Sequence, residues 1–347
     1  MGSPAVGDSS HEMDREKYLL RPFGERDYEP RSRIGAMVNP EFSFTAQEDV
    51  EWEAIFLKRH LLNEKWSVEE RKSGEVVATA AIAHSPFNYH PNKFWADVVV
   101  HPAHRGRGIG RALSALVESE AAAHHAECLW TDVRWDDPRS LEFSRRLGFV
   151  ELRRLWMSIL DLAQPTPPEP ENRLAKLEKE GIRFTTLAKE GWERPEVRKG
   201  LFELHGETGR DVPRMGDYTP ISFEQFEGEL ARPWFLPEAY FIACVGPLYV
   251  GMTNLERSMS EKDALRVGFT GTRAAYRGKG IASELKRRAL DYARAHGVRY
   301  LKTVNDSLNA PMWAINERQG FRRTVEWSAQ EKRFPKGTDA PARPVGK

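Results

Sequence analysis

The sequence predicts two tandem copies of one α/β domain, and three observations carry that prediction. Arg105-Gly106-Arg107-Gly108-Ile109 recurs as Arg277-Gly278-Lys279-Gly280-Ile281, an offset of 172 residues. Leu147-Gly148-Phe149 recurs as Gln319-Gly320-Phe321 at the same offset of 172, so two copies run without insertion between those points. Each glycine loop also lies between a β-rich run and an apolar stripe at helical spacing. A length of 347 residues is long for one core and comfortable for two.

The elements follow in order. Tyr18-Leu19-Leu20-Arg21 and Ile182-Arg183-Phe184-Thr185 read as opening strands about 164 residues apart, so the second copy carries several extra residues ahead of its loop. One or two helices follow each. Residues 74–84 and 93–101 are β-rich runs either side of the turn-prone stretch 86–92. Ile109, Leu113, Leu116, Val117 and Ala121 then form one helical stripe. A strand is expected over 128–133, a helix opened by Pro138 in its first turn, and a closing strand over 149–160. In copy two the matching strands are 240–245, 248–255 and 265–272, followed by helix 281–296, strand 300–304, helix 310–319 and strand 322–327. Prolines at 165, 167, 168 and 170 mark a stiff linker, with a short charged helix over 172–180. The expected domains are 14–163 and 181–332, joined by the linker 164–180 and followed by a disordered Pro/Gly/Lys-rich tail, 333–347.

A strand entering a basic, glycine-rich turn and then a helix can hold an anion. Gly106, Gly108 and Gly110 remove Cβ atoms, so main-chain N–H groups can converge on one phosphate, and the helix start adds its own free N–H groups. Arg105 and Arg107 add charge; copy two offers Gly278 and Gly280, with Ala282 in third place. A tight strand-to-helix turn is the bland alternative, and recurrence in both halves argues against it. The loop is neither a Walker loop nor a dinucleotide fingerprint, because the spacing and the closing Lys-Ser/Thr differ.

The stretch His101-Pro102-Ala103-His104-Arg105-Gly106-Arg107-Gly108-Ile109-Gly110 resembles the acetyl-CoA signature of the Gcn5-related N-acetyltransferase (GNAT) family. Residues 272–282 resemble it too, and both Gly-Phe motifs resemble the close of the family's last helix. The pair resembles tandem members, the mycothiol synthase-like arrangement among them. That resemblance implies two tandem GNAT-like acyl-CoA N-acyltransferase domains, each an α+β mixed sheet whose fourth and fifth strands splay for the pantetheine arm. It implies acetyl-CoA, or another short acyl-CoA, as the donor. Val98, Val99 and Val100, with Thr270, Gly271 and Thr272, would offer main-chain groups to the pantetheine, one N–H stabilising the oxyanion. Arg105, Gly106, Arg107, Gly108, Ile109 and Gly110 would hold the pyrophosphate, as would Arg277, Gly278, Lys279, Gly280, Ile281 and Ala282. Asn309 fits the family's CoA-side asparagine; copy one departs with Asp137.

Direct attack of an amine on a thioester needs a base for the ammonium proton and an acid for the leaving thiolate. The family often supplies the acid as a Tyr four residues before the closing Gly, where this chain has Ser144 and Asn316. Three readings follow: the thiolate leaves unaided or through water, another residue substitutes, or one or both halves no longer catalyse. Asn316 is one candidate site residue, and Asp97, Glu207 and Asp306 are candidate bases, each equally readable as a solvated or ion-paired carboxylate.

Composition narrows the partners. With 52 basic against 51 acidic side chains, the net charge of +1 calls for neither nucleic acid nor an anionic membrane. No apolar run is long enough to span a bilayer, and the first dozen residues lack a secretory h-region. Cys128 and Cys244 stand alone, which points to a reducing cytoplasm. No ligand spacing suggests a metal, so none is expected. His124-His125 reads as a helix end, whereas His101 and His104 either touch phosphate or shape the turn. The expected partner is a small-molecule amine acceptor, such as an amino sugar, amino acid or antibiotic, with the protein a monomer or homodimer. Trp52, Trp66, Trp234 and the segment 205–220 are candidate acceptor-binding parts; the bland reading of the segment is a surface linker.

Overall fold

A computed structural model describes residues 12–42, 44–86, 88–168 and 172–335. The expected disorder at 336–347, the N-terminal residues 1–11 and Pro170 of the linker lie outside these residues. The first half runs β1 (Tyr18–Pro22), α1 (Tyr28–Val38), α2 (Ala46–Lys58), β2 (Asn63–Glu70), β3 (Glu75–Ala83), β4 (Lys93–Val100), α3 (Ile109–Ala123), β5 (Cys128–Arg134), α4 (Pro138–Arg146) and β6 (Val150–Asp161). The second runs α5 (Arg173–Lys179), β7 (Ile182–Thr186), α6 (Leu187–Glu190), α7 (Pro195–Gly209), α8 (Phe223–Leu230), β8 (Tyr240–Val245), β9 (Leu248–Arg257), β10 (Ala264–Thr272), α9 (Ile281–Ala295), β11 (Tyr300–Asp306), α10 (Ala310–Arg318) and β12 (Arg322–Arg333). Strand β12 runs six residues past the expected end at 327, because its part from Ser328 belongs to the first unit and lies beside β5.

The chain forms two compact units, and they do not follow a simple cut in the linker. One contains everything up to Leu152 together with the chain from Ser328; the other is Arg153–Trp327. In the first unit β1, β2, β3 and β4 are antiparallel neighbours and β5 joins β4 in parallel. The end of β12 completes that sheet beside β5, where Trp130 Nε1 donates to Glu331 Oε2 at 3.0 Å. In the second unit β7, β8, β9 and β10 are antiparallel and β11 joins β10 in parallel. There β6 completes the sheet, pairing antiparallel with β11 from Leu155↔Asp306 to Asp161↔Tyr300. Each sheet thus takes its closing strand from the other half of the sequence.

Burial explains the helices. Leu113, Val117 and Ala121 of α3 pack on Ile82 and Ala80 of the first sheet. Ile281, Leu285 and Ala289 of α9 pack on Phe241 and Val250. The opposite face of the second sheet, with Ile242 and Met252, is covered by Leu201 and Leu204 of α7 and Phe226 of α8. A sheet covered on both faces reads as continuous apolar runs, as β8 does.

Candidate functional site

The two glycine loops have the same backbone. Gly106 and Gly108 sit at φ +77° and +76°, and Gly278 and Gly280 at +76° and +94°. This left-handed region disfavours a side chain, which accounts for the recurring pair. Gly108 and Gly280 are the N-caps of α3 and α9 and supply no side-chain cap, so the first N–H groups of each helix stay available to an anion. A cradle of this kind fits a pyrophosphate.

Two expectations about the loops change. Gly110 has helical φ, and a Cβ there would stand 3.5 Å from Phe143, an ordinary contact; the third glycine is not required, and Ala282 is its equal. The first arginines also act on the protein. Arg105 Nε donates to Val100 O at 3.4 Å and its Nη1 to Asp137 at 2.9 Å. Arg277 Nε donates to Thr272 O at 3.0 Å, and its other arm pairs with Asp211. Each therefore ties its loop back to the end of the preceding strand. Arg107 donates to the Tyr18 hydroxyl (2.9 Å) and Lys279 Nζ to Glu180 (2.5 Å). His101 Nδ1 accepts from Ala103 N and His104 Nδ1 bonds the Tyr18 hydroxyl, so both histidines shape the turn.

Beside each loop the sheet opens. Strands β4 and β5 pair only from Lys93↔Cys128 to Trp95↔Trp130, and β10 and β11 only from Ala264↔Tyr300 to Arg266↔Lys302. Val98, Val99 and Val100, like Thr270, Gly271 and Thr272, lie beyond the last of these pairs. The units then differ. The β3–β4 register is unbroken, whereas β10 carries a bulge between Val267 and Thr270, with Phe269 N–H donating to Asn254 Oδ1 at 2.8 Å. Bulges concentrate next to active sites because they re-aim the backbone.

The acid position differs as well. Ser144 is buried, and its hydroxyl donates to Leu141 O of its own helix at 3.0 Å. Asn316 is completely buried, and neither Nδ2 nor Oδ1 has a partner among the described residues. A buried amide left open on both atoms is rare and points to an absent ligand or water. Asp137 and Asn309 both N-cap their helices, accepting from Ser140 N (3.1 Å) and Met312 N (3.3 Å). Burial pushes the Asp137 carboxyl up, but hydrogen bonds from Ser140 and Arg105 outweigh it and hold it below the usual carboxylate value.

Each carboxylate expected as a base is in an ion pair. Asp97 meets Arg31 at 3.3 Å, and Arg31 also holds Asp49 at 3.1 Å. Glu207 pairs with Arg273, and Asp306 pairs with the largely buried Arg153. Trp66 packs against the first unit's core, and the Trp234 ring lies against Arg232 at 5.1 Å. Of the segment 205–220, the first five residues end α7 and the rest is loop. Two residues were not singled out individually by sequence, although His205 opens the segment 205–220. His205, inside α7, touches Phe226 and Phe269 with ring centroids 5.5 and 5.1 Å away. Glu256 pairs with Arg266 just ahead of the β10 bulge, and burial raises its pKa. The available signal was Gly268 inside a strand pattern, since an internal strand glycine marks a bulge. Cys128 and Cys244 are both free and buried, and among the described residues no helix is long and apolar enough to cross a membrane.

With that geometry in place, comparison with known proteins is specific. The model described as "Acetyltransferase (GNAT) family" matches residues 32–149 and 212–321. The chain is 27% identical over 272 residues to the mycothiol acetyltransferase of Streptomyces bingchenggensis, covering 76% of this chain and 78% of that one. It is 29% identical over 243 residues to that of Geodermatophilus obscurus, covering 67% and 72%. Among solved structures, the fold is similar to a GCN5-related N-acetyltransferase from Sphaerobacter thermophilus, with TM-score 0.69, 21% identity and coverage of 94% and 98%. It is also similar to a tandem GNAT protein from the clavulanic acid biosynthesis pathway, with TM-score 0.67, 20% identity and coverage of 92% and 100%.

Proposed function

We propose that this protein, which belongs to the acetyltransferase (GNAT) family and is an N-acetyltransferase, holds acetyl-CoA at both glycine loops and transfers the acetyl group in the second unit. The acceptor is the amine of a small molecule, a reading supported by the similarity to mycothiol acetyltransferases. The observation that carries the assignment to the second unit is Asn316, buried with both amide atoms unpartnered where the first unit has a self-satisfied Ser144.

Acetyl-CoA supplies an acyl group on a thioester, activated for attack by an amine. The loop N–H groups of Arg277–Ala282 and of Arg105–Gly110 bind the pyrophosphate. Main-chain groups of Thr270, Gly271 and Thr272 orient the pantetheine, and the re-aimed backbone at the bulge offers an N–H to the acyl oxygen as charge develops. Asn316 is no acid, because a carboxamide does not release a proton near neutral pH. Its Nδ2–H can still donate to the leaving sulfur, worth about 1.5–3 kcal/mol for a hydrogen bond to a charged group. In the first unit Asp137 engages Arg105 and Ser144 is closed on its helix, so that unit binds without transferring.

Calorimetry with acetyl-CoA and thiol release over a panel of amines test this, using Gly108→Val and Gly280→Val separately. Each substitution is expected to remove one of two binding sites, and only Gly280→Val to abolish transfer. Equal loss of transfer from both would sink the division of labour, and absence of binding to the unsubstituted chain would sink the whole reading.

A further inference from the structure

We propose that His205 is the general base of the second unit, taking the proton from the acceptor's ammonium on the face of β10 that α7 covers. The inference rests on the reading that transfer occurs in this unit.

Helix α7 lies close on β10: a Cβ on Gly271 would stand 2.7 Å from Thr208. His205 is three residues before Thr208, hence on the same helix face, and its ring meets Phe269, two residues before Gly271 on the same strand face. Thr270 points the other way, its hydroxyl bonded to that of Thr253 at 2.7 Å. Phe269 sits in the bulge and beyond the last β10–β11 pair. The imidazole therefore stands on one side of the opened strand, and the α9 loop that binds phosphate belongs to the other.

The ring is held but not used. Phe226 of α8 and Phe269 flank it, Nδ1 is shut away without a partner, and Nε2 makes no hydrogen bond among the described residues. That leaves Nε2 as the nitrogen able to accept a proton. Burial, and then the nearby Arg214 cation, lower the histidine's pKa, which keeps it neutral at pH 7. Arg214 is the charged group that bears on it. Glu207 and Asp306, by contrast, are already neutralised by arginines. In the step itself Nε2 takes one ammonium proton and the freed amine forms the C–N bond to the acetyl carbon. The C–S bond breaks with its electron pair on sulfur, and the second N–H proton, acidic once the nitrogen is acylated, passes through water to the thiolate.

The test uses the full chain and two probe amines: glucosamine, substantially an ammonium at pH 7, and O-methylhydroxylamine, already neutral there. His205→Gln is expected to lower kcat/KM for glucosamine by about 100-fold or more, within the range for lost general-base catalysis. Transfer to O-methylhydroxylamine should stay within about threefold, and acetyl-CoA affinity by calorimetry within about twofold, of the unsubstituted chain. Equal loss with both amines would mean a structural role and overturn the proposal. So would an unchanged glucosamine rate, or loss from Glu256→Gln with His205→Gln unimpaired. The second readout needs no acceptor. The histidine-ring NMR signal missing from His205→Gln should titrate below the usual value of about 6.5; titration at or above it would overturn the proposal even with acetyl-CoA binding intact.

Discussion

Replacing Asn316 with leucine should stabilise the ligand-free protein while disabling transfer. Asn316 is fully buried with both amide atoms unpartnered, and leucine has nearly the same shape. An amide buried without hydrogen bonds costs about 1–3 kcal/mol in proteins, and removing it restores that amount. For a unit of this size each kcal/mol moves the melting temperature by about 2–4 °C, so a gain of about 2 kcal/mol raises Tm by about 4–8 °C. The same change deletes the donor to the departing sulfur and should lower kcat by about 10–100-fold, the equivalent of 1.5–3 kcal/mol. Thermal melts with and without acetyl-CoA, together with thiol-release kinetics, read both effects. Ser144→Ala is the control: its hydroxyl closes on its own helix, so stability should change by no more than about 0.5 kcal/mol and transfer not at all. A lower Tm for Asn316→Leu, or an unchanged rate, would refute the reasoning, because either means that the amide is satisfied or idle.

Two further outcomes follow from the fold. Deleting the chain from Ser328 should leave β5 paired on one side only and remove the Trp130–Glu331 bond, so circular dichroism should show the first unit's sheet melting earlier or failing to form; an unchanged melt would contradict the strand exchange. Lys286 is buried in α9, and burial alone pulls its pKa down to about 8, against about 10.5 unfolded. Between those values the unfolded chain binds more protons than the native one, so stability should rise with pH from about 8 to 10.5, by up to about 3 kcal/mol, and Lys286→Met should flatten that rise in urea titrations.

The parts legible in the sequence are those fixed by local chemistry. The left-handed pair at Gly108 and Gly280, the apolar stripe of Leu113, Val117 and Ala121, and Pro138 at a helix start each follow from a residue and its near neighbours. What was not legible depends on distant packing. Strands β6 and β12 have apolar patterns that suit either sheet, so nothing local says that 153–161 closes the second and 328–333 the first. Gly110 resembled Gly108 in sequence because φ is not written there; one is helical and the other left-handed. The open amide of Asn316 is likewise a property of its surroundings, and the residue name alone shows only that no tyrosine is present.

The two units share a loop and differ on the opposite face, and one pair of positions shows why binding and transfer can part company. Phosphate is held by main-chain N–H groups, which tolerate changes in neighbouring side chains, so Arg107 and Lys279 or Gly110 and Ala282 interchange without altering the cradle. Proton transfer needs a particular side chain. At the same 172-residue offset as the loops, Asp97 on β4 matches Phe269 on β10. In the first unit that position is tied to α1 by Arg31, which also holds Asp49 on α2, so an ion-paired triad joins both helices to the strand. In the second unit it is an aromatic ring against His205, which is in no ion pair among the described residues. An ion pair keeps the Asp97 carboxylate engaged with Arg31, whereas a ring contact leaves an imidazole nitrogen free to work. The same framework therefore accommodates one face locked by charge and one equipped for chemistry.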